Sequence, residues 1–197
     1  MRLVALVMAL LLPCAVRAAG APSNGKAVGL PNAPILIEVF SDFQCPACKT
    51  LHEQTLMPLV RDYVSAGKVY LIYRQFPLSM HPYARVAASY ACAAERVGKY
   101  EQVSTVLFRN QAAWSADGKV DETACRVLTA AEAKKVRALI KDPGVAAEIE
   151  QDLGLGQKAN VRQTPTMMVT HRLKQYPLSG FQNYGLFRRF LDELLAK

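Results

Sequence analysis

Cys45 and Cys48 stand three positions apart, enclose Pro46 and Ala47, and follow directly on an apolar run, Ile35-Leu36-Ile37-Glu38-Val39-Phe40. Two cysteines at this spacing on the first turn of a helix can close a small disulfide and open it again. A helix start supplies free N–H groups and the positive end of the dipole, and both favour a thiolate at the first cysteine. Pro46 fits that turn, where its missing N–H costs nothing. Strand, C-x-x-C and helix in this order therefore point to thiol–disulfide chemistry, with Cys45 attacking and Cys48 resolving. Half of a zinc site would need a second ligand pair, and the sequence has no other C-x-x-C or close Cys/His pair. An inert structural disulfide is a further alternative, but so tight a loop makes a poor staple for a large domain.

The elements that must hold this pair can be read on either side of it. Residues 35–41 are too uniformly apolar for a surface strand and predict a buried one. A helix is predicted over 45–64, with Pro58 expected to kink or split it, and a second strand over 69–74. No strand signal occurs between His81 and about Lys141, where three helices are predicted over 83–98, 100–112 and 121–140. A helix over 145–160, strands over 166–170 and 174–177 and a last helix over 184–195 complete the order. This is βαβ, a helical block, then αββα. A short edge strand near 26–28 is the only element expected in the Ala-, Pro- and Gly-rich segment 19–34, otherwise read as mobile.

The first eighteen residues read as a secretory signal peptide. Arg2 gives a charged start, Leu3 to Leu12 an apolar core, and Val16-Arg17-Ala18 a small-residue cleavage site, with cleavage expected after Ala18. That core is too short to span a bilayer, and no later segment is long and apolar enough, so a soluble periplasmic or secreted protein is expected. The chain carries 24 Lys and Arg against 16 Asp and Glu; the leader holds two of the arginines, which leaves a net charge of +6. That excess is scattered in pairs such as Arg188-Arg189 and Lys134-Lys135, so nucleic acid is not an expected partner. In an oxidising compartment Cys92 and Cys125 are expected to pair, closing a loop of about 34 residues worth on the order of 3.5–4 kcal/mol. The alternative is two buried thiols behaving as small hydrophobes.

The segment Glu38-Val39-Phe40-Ser41-Asp42-Phe43-Gln44-Cys45-Pro46-Ala47-Cys48, then Phe76-Pro77-Leu78, His81-Pro82 and Thr164-Pro165-Thr166, resembles the DsbA-like branch of the thioredoxin fold. The resemblance spans 35–197. It implies an α/β fold with a central mixed sheet, and a helical insertion over about 81–141 between the βαβ and ββα halves. It also implies a cis Thr164–Pro165 bond beside the cysteines, where an extended client can pair with Thr164 as an added strand. The activity implied is exchange of disulfides with cysteine-containing exported proteins through a mixed disulfide at Cys45. No cofactor and no metal are required, and a membrane redox partner would recycle the pair. With no dimerisation domain ahead of the fold, a monomer is expected rather than a DsbC-type dimer. Two other readings remain open: a reductase fed by a membrane electron carrier, and a copper-handling protein using Cys45, Cys48 and a histidine.

Two positions depart from the family pattern. A buried acid six residues before the first cysteine is replaced by Val39, and Glu38 lies on the opposite face of the strand. Asp42 is either a substitute proton acceptor for Cys48 or an ordinary loop carboxylate, and His81 either lines the rim of the site or caps a helix. His52 is expected to face solvent. Ala47 stands where DsbA itself has a histidine that stabilises the first thiolate. The reduced form is therefore less favoured, and a potential between about −150 and −250 mV is expected, against about −120 mV for DsbA. Equilibration with glutathione checks this: Ala47→His should become more oxidising, and a wild type as oxidising as DsbA contradicts the reading.

Overall fold

The computed structural model describes residues 25–197; the expected signal peptide, Cys14 and the start of segment 19–34 lie outside them. Five strands form one sheet in the order β1-β3-β2-β4-β5, with β1 at Ala27–Val28, β2 at Ile35–Ser41, β3 at Val69–Gln75, β4 at Thr166–His171 and β5 at Lys174–Ser179. Only the β2–β3 pair is parallel; β1, β4 and β5 are each antiparallel to their neighbours. The central position of β2 explains its apolar run, since both of its faces are covered.

One face of β2 presents Ile35, Ile37 and Val39 to the first helix, α1, which spans residues 46–64, and to the last helix, α8 (Tyr184–Leu195). Pro58 does not split α1. The chain passes through Pro46–Leu51, a π-helical turn at His52–Leu56, Met57–Leu59 and a second π-helical turn at Val60–Val64. In these wider turns the Met57 N–H donates to the His52 carbonyl and the Ser65 N–H to that of Val60. The ladder is thus re-registered on both sides of the proline, which donates nothing to it.

The helical block consists of α2 (Ala84–Glu95), α3 (Tyr100–Arg109), α4 (Gln111–Asp117), α5 (Val120–Cys125) and α6 (Ala130–Leu139). Two of the predicted helices are each divided. Asn110 ends α3 with its side chain on the Val106 carbonyl, and Thr129 opens α6 with a capping box to Glu132. Trp114 packs inside this block, as expected, with its indole N–H donating to the Leu107 carbonyl at 2.7 Å.

The other face of the sheet is covered by α7 (Pro143–Lys158), which begins on an Asp142 cap. Gly156 allows the close approach, because a Cβ there would lie 2.4 Å from the ring of Phe76. Glu38 belongs to this face. It accepts from Arg74, which also meets Asp152 of α7 at 3.2 Å, and Asp152 in turn accepts from Lys26 at 2.6 Å. Lys26 is buried, and its own N–H donates to Glu95. The edge strand expected near 26–28 is present as β1, and the start of this segment, expected to be mobile, is tied to α7 by the Lys26 ion pair with a buried carboxylate.

His52 is also corrected. Instead of facing solvent it is buried and stacked on Phe108 of α3, ring centroids 4.8 Å apart, because the block covers a side of α1 that the sheet does not. Burial, then the charge of Arg109, pushes its pKa down from 6.5 to about 4. Between these values the unfolded chain binds the proton more readily. Stability should therefore fall as pH drops from about 6.5 to about 4, by on the order of 3 kcal/mol from this residue. Urea midpoints across that window should fall more steeply for the wild type than for His52→Phe. Parallel slopes would show that His52 does not carry the dependence.

Candidate active site

The carboxyl end of β2 leads through a short loop into α1, and Cys45 is the residue that caps the helix. Its backbone is extended (φ −77°, ψ 121°), its carbonyl accepts from the N–H groups of Cys48 and Lys49, and Pro46 opens the first turn. Cys48 lies one turn further in. The two sulfurs differ in environment: Cys45 is 8% exposed at the surface of the cluster and Cys48 is 1% exposed. Both are free thiols in this structure.

That difference is also electrostatic. A hydrogen bond from the Cys48 thiol is the largest influence on Cys45. The Thr164 side chain and the N–H groups of Ala47 and Cys48 add to it, and against the opposing effect of burial they lower the Cys45 thiol to about 5. Cys48 moves the other way. Burial, and then the neighbouring Cys45, push its thiol well above the ordinary range. Such a pair holds a thiolate at the accessible sulfur and a proton at the hidden one.

Thr164–Pro165 lies at the start of β4, beside the cysteines. The peptide bond is cis, as expected, and the Thr164 carbonyl accepts from the Cys45 thiol at 3.4 Å. The Pro165 carbonyl accepts from Gly180 across the sheet edge at 2.8 Å. The structure thus brings together Cys45, Cys48, Pro46, Ala47, Thr164 and Pro165 from two segments far apart in sequence.

Asp42 and His81 also belong here. Asp42 is 1% exposed; one carboxylate oxygen accepts from the Gln44 N–H at 2.7 Å, the other from the Leu78 N–H and His81 Nδ1, each at 2.8 Å. The carboxylate is thus a loop anchor. What reaches Cys48 is the Asp42 N–H, 3.4 Å from Sγ. Gln111 was not indicated by the sequence. Its buried side-chain amide donates to the carbonyls of Phe43 at 2.7 Å and Cys45 at 2.9 Å, fastening the block to the active-site loop. A lone glutamine inside a segment read as one helix over 100–112 carries no signal of such a contact.

The expected Cys92–Cys125 bridge is not formed. Cys92 is fully buried on α2, where burial drives its thiol far upward and its charged neighbours are Lys26 and Glu148. Cys125 ends α5 with its thiol donating to Asp121 at 3.4 Å. Both sulfurs are free. This is the small-hydrophobe alternative for Cys92, while Cys125 is partly exposed. Among the described residues no cluster of three or more His, Cys, Asp or Glu is arranged to hold a metal.

The contrast between the sulfurs has a direct chemical readout. Iodoacetamide should modify Cys45 with a midpoint near pH 5, while Cys48 in the same molecule stays unmodified until the protein unfolds. Peptide mapping of the alkylated protein reads the ratio. Equal labelling of both cysteines would contradict the geometry.

The family model described as thioredoxin matches residues 23–192. The disulfide bond formation protein D of Bacillus subtilis (strain 168) is 24% identical over 187 residues, covering 89% of this chain and 80% of that protein. Among solved structures, alpha-DsbA1 of Wolbachia pipientis superposes with a TM-score of 0.72 at 23% identity, covering 87% of this chain and 91% of that one. Oxidised BdbD of Bacillus subtilis gives 0.70 at 21% identity, covering 90% and 96%. With the sheet order, the helical block and the dithiol already described, these matches place the chain in the thioredoxin family, as a DsbA-like thiol–disulfide oxidoreductase.

Proposed function

We propose that this protein is exported and exchanges disulfides with cysteines of other exported proteins, through a mixed disulfide at Cys45. The observation that carries this reading is the placement of the two sulfurs, Cys45 capping α1 beside Thr164–Pro165 and Cys48 buried one turn further in, an arrangement that lowers the Cys45 thiol to about 5 and raises that of Cys48. A client thiolate attacks Cys45 Sγ in the oxidised protein, and the Cys45–Cys48 bond breaks with its electron pair on Cys48. A second client thiolate then displaces Cys45, leaving a client disulfide and a reduced protein. Cys45 is a good leaving group in that second step because its thiolate is already stable. The same stability favours the reduced form, so the oxidase direction is the one proposed. A membrane redox partner would then re-oxidise the pair.

Thr164 and Pro165 are proposed to receive the client backbone. Exposed apolar side chains next in sequence to residues that contact the site fit a peptide-binding surface: Met80, adjacent to His81, is 77% exposed, and Phe181, adjacent to Gly180, is 39% exposed. Export rests on the leader pattern of the first eighteen residues, and no helix among the described residues is long and apolar enough to cross a membrane. The disulfide-forming role named for the Bacillus relative fits the same assignment.

Cys48→Ala should accumulate client proteins as mixed disulfides at Cys45, visible as reducible high-mass bands on non-reducing gels of the exported fraction. Cys45→Ala should accumulate none. Trapping by the second variant instead of the first would reverse the roles of the two sulfurs.

A further inference from the structure

Val39 leaves the buried sulfur without a carboxylate behind it, so the question becomes what supports charge on Cys48. Charge must appear there whenever the disulfide opens, because the bond between the sulfurs breaks heterolytically with the electron pair on Cys48. Microscopic reversibility places the same charge on Cys48 when it attacks the mixed disulfide. Cys48 is buried among apolar and aromatic residues, including Phe43, Phe108 and Trp114. A donor aimed at its sulfur therefore counts for more there than it would in water. The Asp42 N–H is such a donor.

That N–H is held from several directions. The Asp42 carbonyl accepts from the Cys45 N–H at 3.2 Å, which closes the loop on itself. The Asp42 carboxylate ties the loop to the segment after β3 through Leu78 and His81, and its side chain is completely buried. Gln44 repeats the tie two residues on, its side-chain oxygen accepting from the Tyr83 N–H at 2.8 Å. Both remaining donors to the carboxylate are backbone N–H groups, so the hydrogen between it and His81 belongs to Nδ1. His81 is the one side chain in this set with a partly exposed ring, at 18%.

We propose that Asp42 and His81 form a positioning pair that holds the Asp42 N–H on Cys48 Sγ and so stabilises that sulfur as it gains or carries negative charge during exchange. The proposal rests on the reading of Cys45 and Cys48 as the exchanging pair. It assigns neither residue a proton to carry. The client thiol loses its proton to solvent, and the Cys48 thiolate takes one from solvent once the mixed disulfide has formed. Atoms and electrons therefore balance with the client thiol as the only co-reactant. The carboxylate that other family members bury behind the second cysteine is replaced by a backbone donor held by a carboxylate and an imidazole.

The test uses the full chain and a fluorescent peptide bearing one cysteine. Two rates are measured: formation of the mixed disulfide from the oxidised protein, which requires Cys48 to leave, and alkylation of Cys45 in the reduced protein, which does not. Loss of a hydrogen bond to a charged group corresponds to roughly 10- to 100-fold. Asp42→Ala and His81→Ala should slow the first rate by about that factor and leave the Cys45 alkylation midpoint near 5. His81→Asn, whose amide can donate from nearly the Nδ1 position, should recover most of the rate. An unchanged first rate in His81→Ala overturns the proposal, as does a parallel change in both rates, which would mean that the whole loop has moved. If Asp42→Ala does not fold, the two His81 variants decide alone. A wild-type protein that forms no mixed disulfide at Cys45 would overturn the exchange reading itself, a different result from a wild type that reacts beside variants that react equally well.

Discussion

The structure depends on one contrast, two sulfurs a single helical turn apart of which one tolerates negative charge and the other does not. Cys45 gains its tolerance from position, as the cap of α1 with N–H groups beneath it and the Cys48 thiol beside it. Cys48 loses it by burial. Neither effect needs an unusual side chain. Both need the helix start to be fixed against the sheet and roofed by the helical block, and much of the fold serves that fixation. β2 delivers the loop from the centre of the sheet, β4 brings Thr164 against Cys45, and Gln111 holds the Phe43 and Cys45 carbonyls from above.

The size of the effect on Cys45 bears on its chemistry. A thiol lowered to about 5 lies between the values of about 7 and 3.5 typical of thioredoxin and of DsbA. The deeper the thiolate lies, the more the reduced state is favoured and the stronger the oxidant. Ala47 fits an intermediate position. Its side chain adds no donor, so the helix-end N–H groups (its own among them), the Cys48 thiol and the Thr164 side chain provide the lowering.

Much of this was legible in the chain before any coordinates. The run 35–41, the C-x-x-C and Thr164-Pro165 carry strong local signals, because each imposes a backbone requirement that few residue types satisfy. What was not legible depended on contacts between segments distant in sequence. A histidine two turns into a helix reads as solvent-facing until a second layer, here Phe108 of α3, covers that side. Asp42 is indistinguishable from any loop acid until Leu78 and His81 are seen to close on it. Lys26 reads only as the start of a short edge strand, yet its side-chain partners Glu148 and Asp152 lie more than a hundred residues away. Cys92 and Cys125 are the converse case: compartment and count favour a bridge, while both sulfurs are free in the structure.

The contrast between the sulfurs rests chiefly on their influence on each other, and one titration addresses it. Ultraviolet absorbance of the thiolate, followed against pH in the reduced protein, should show Cys45 ionising near 5 in the wild type. In Cys48→Ala the same transition should move up toward the ordinary thiol range, because the largest single stabiliser of the Cys45 thiolate has been removed. A wild-type transition already in the ordinary range, or one that stays near 5 without Cys48, would contradict the account.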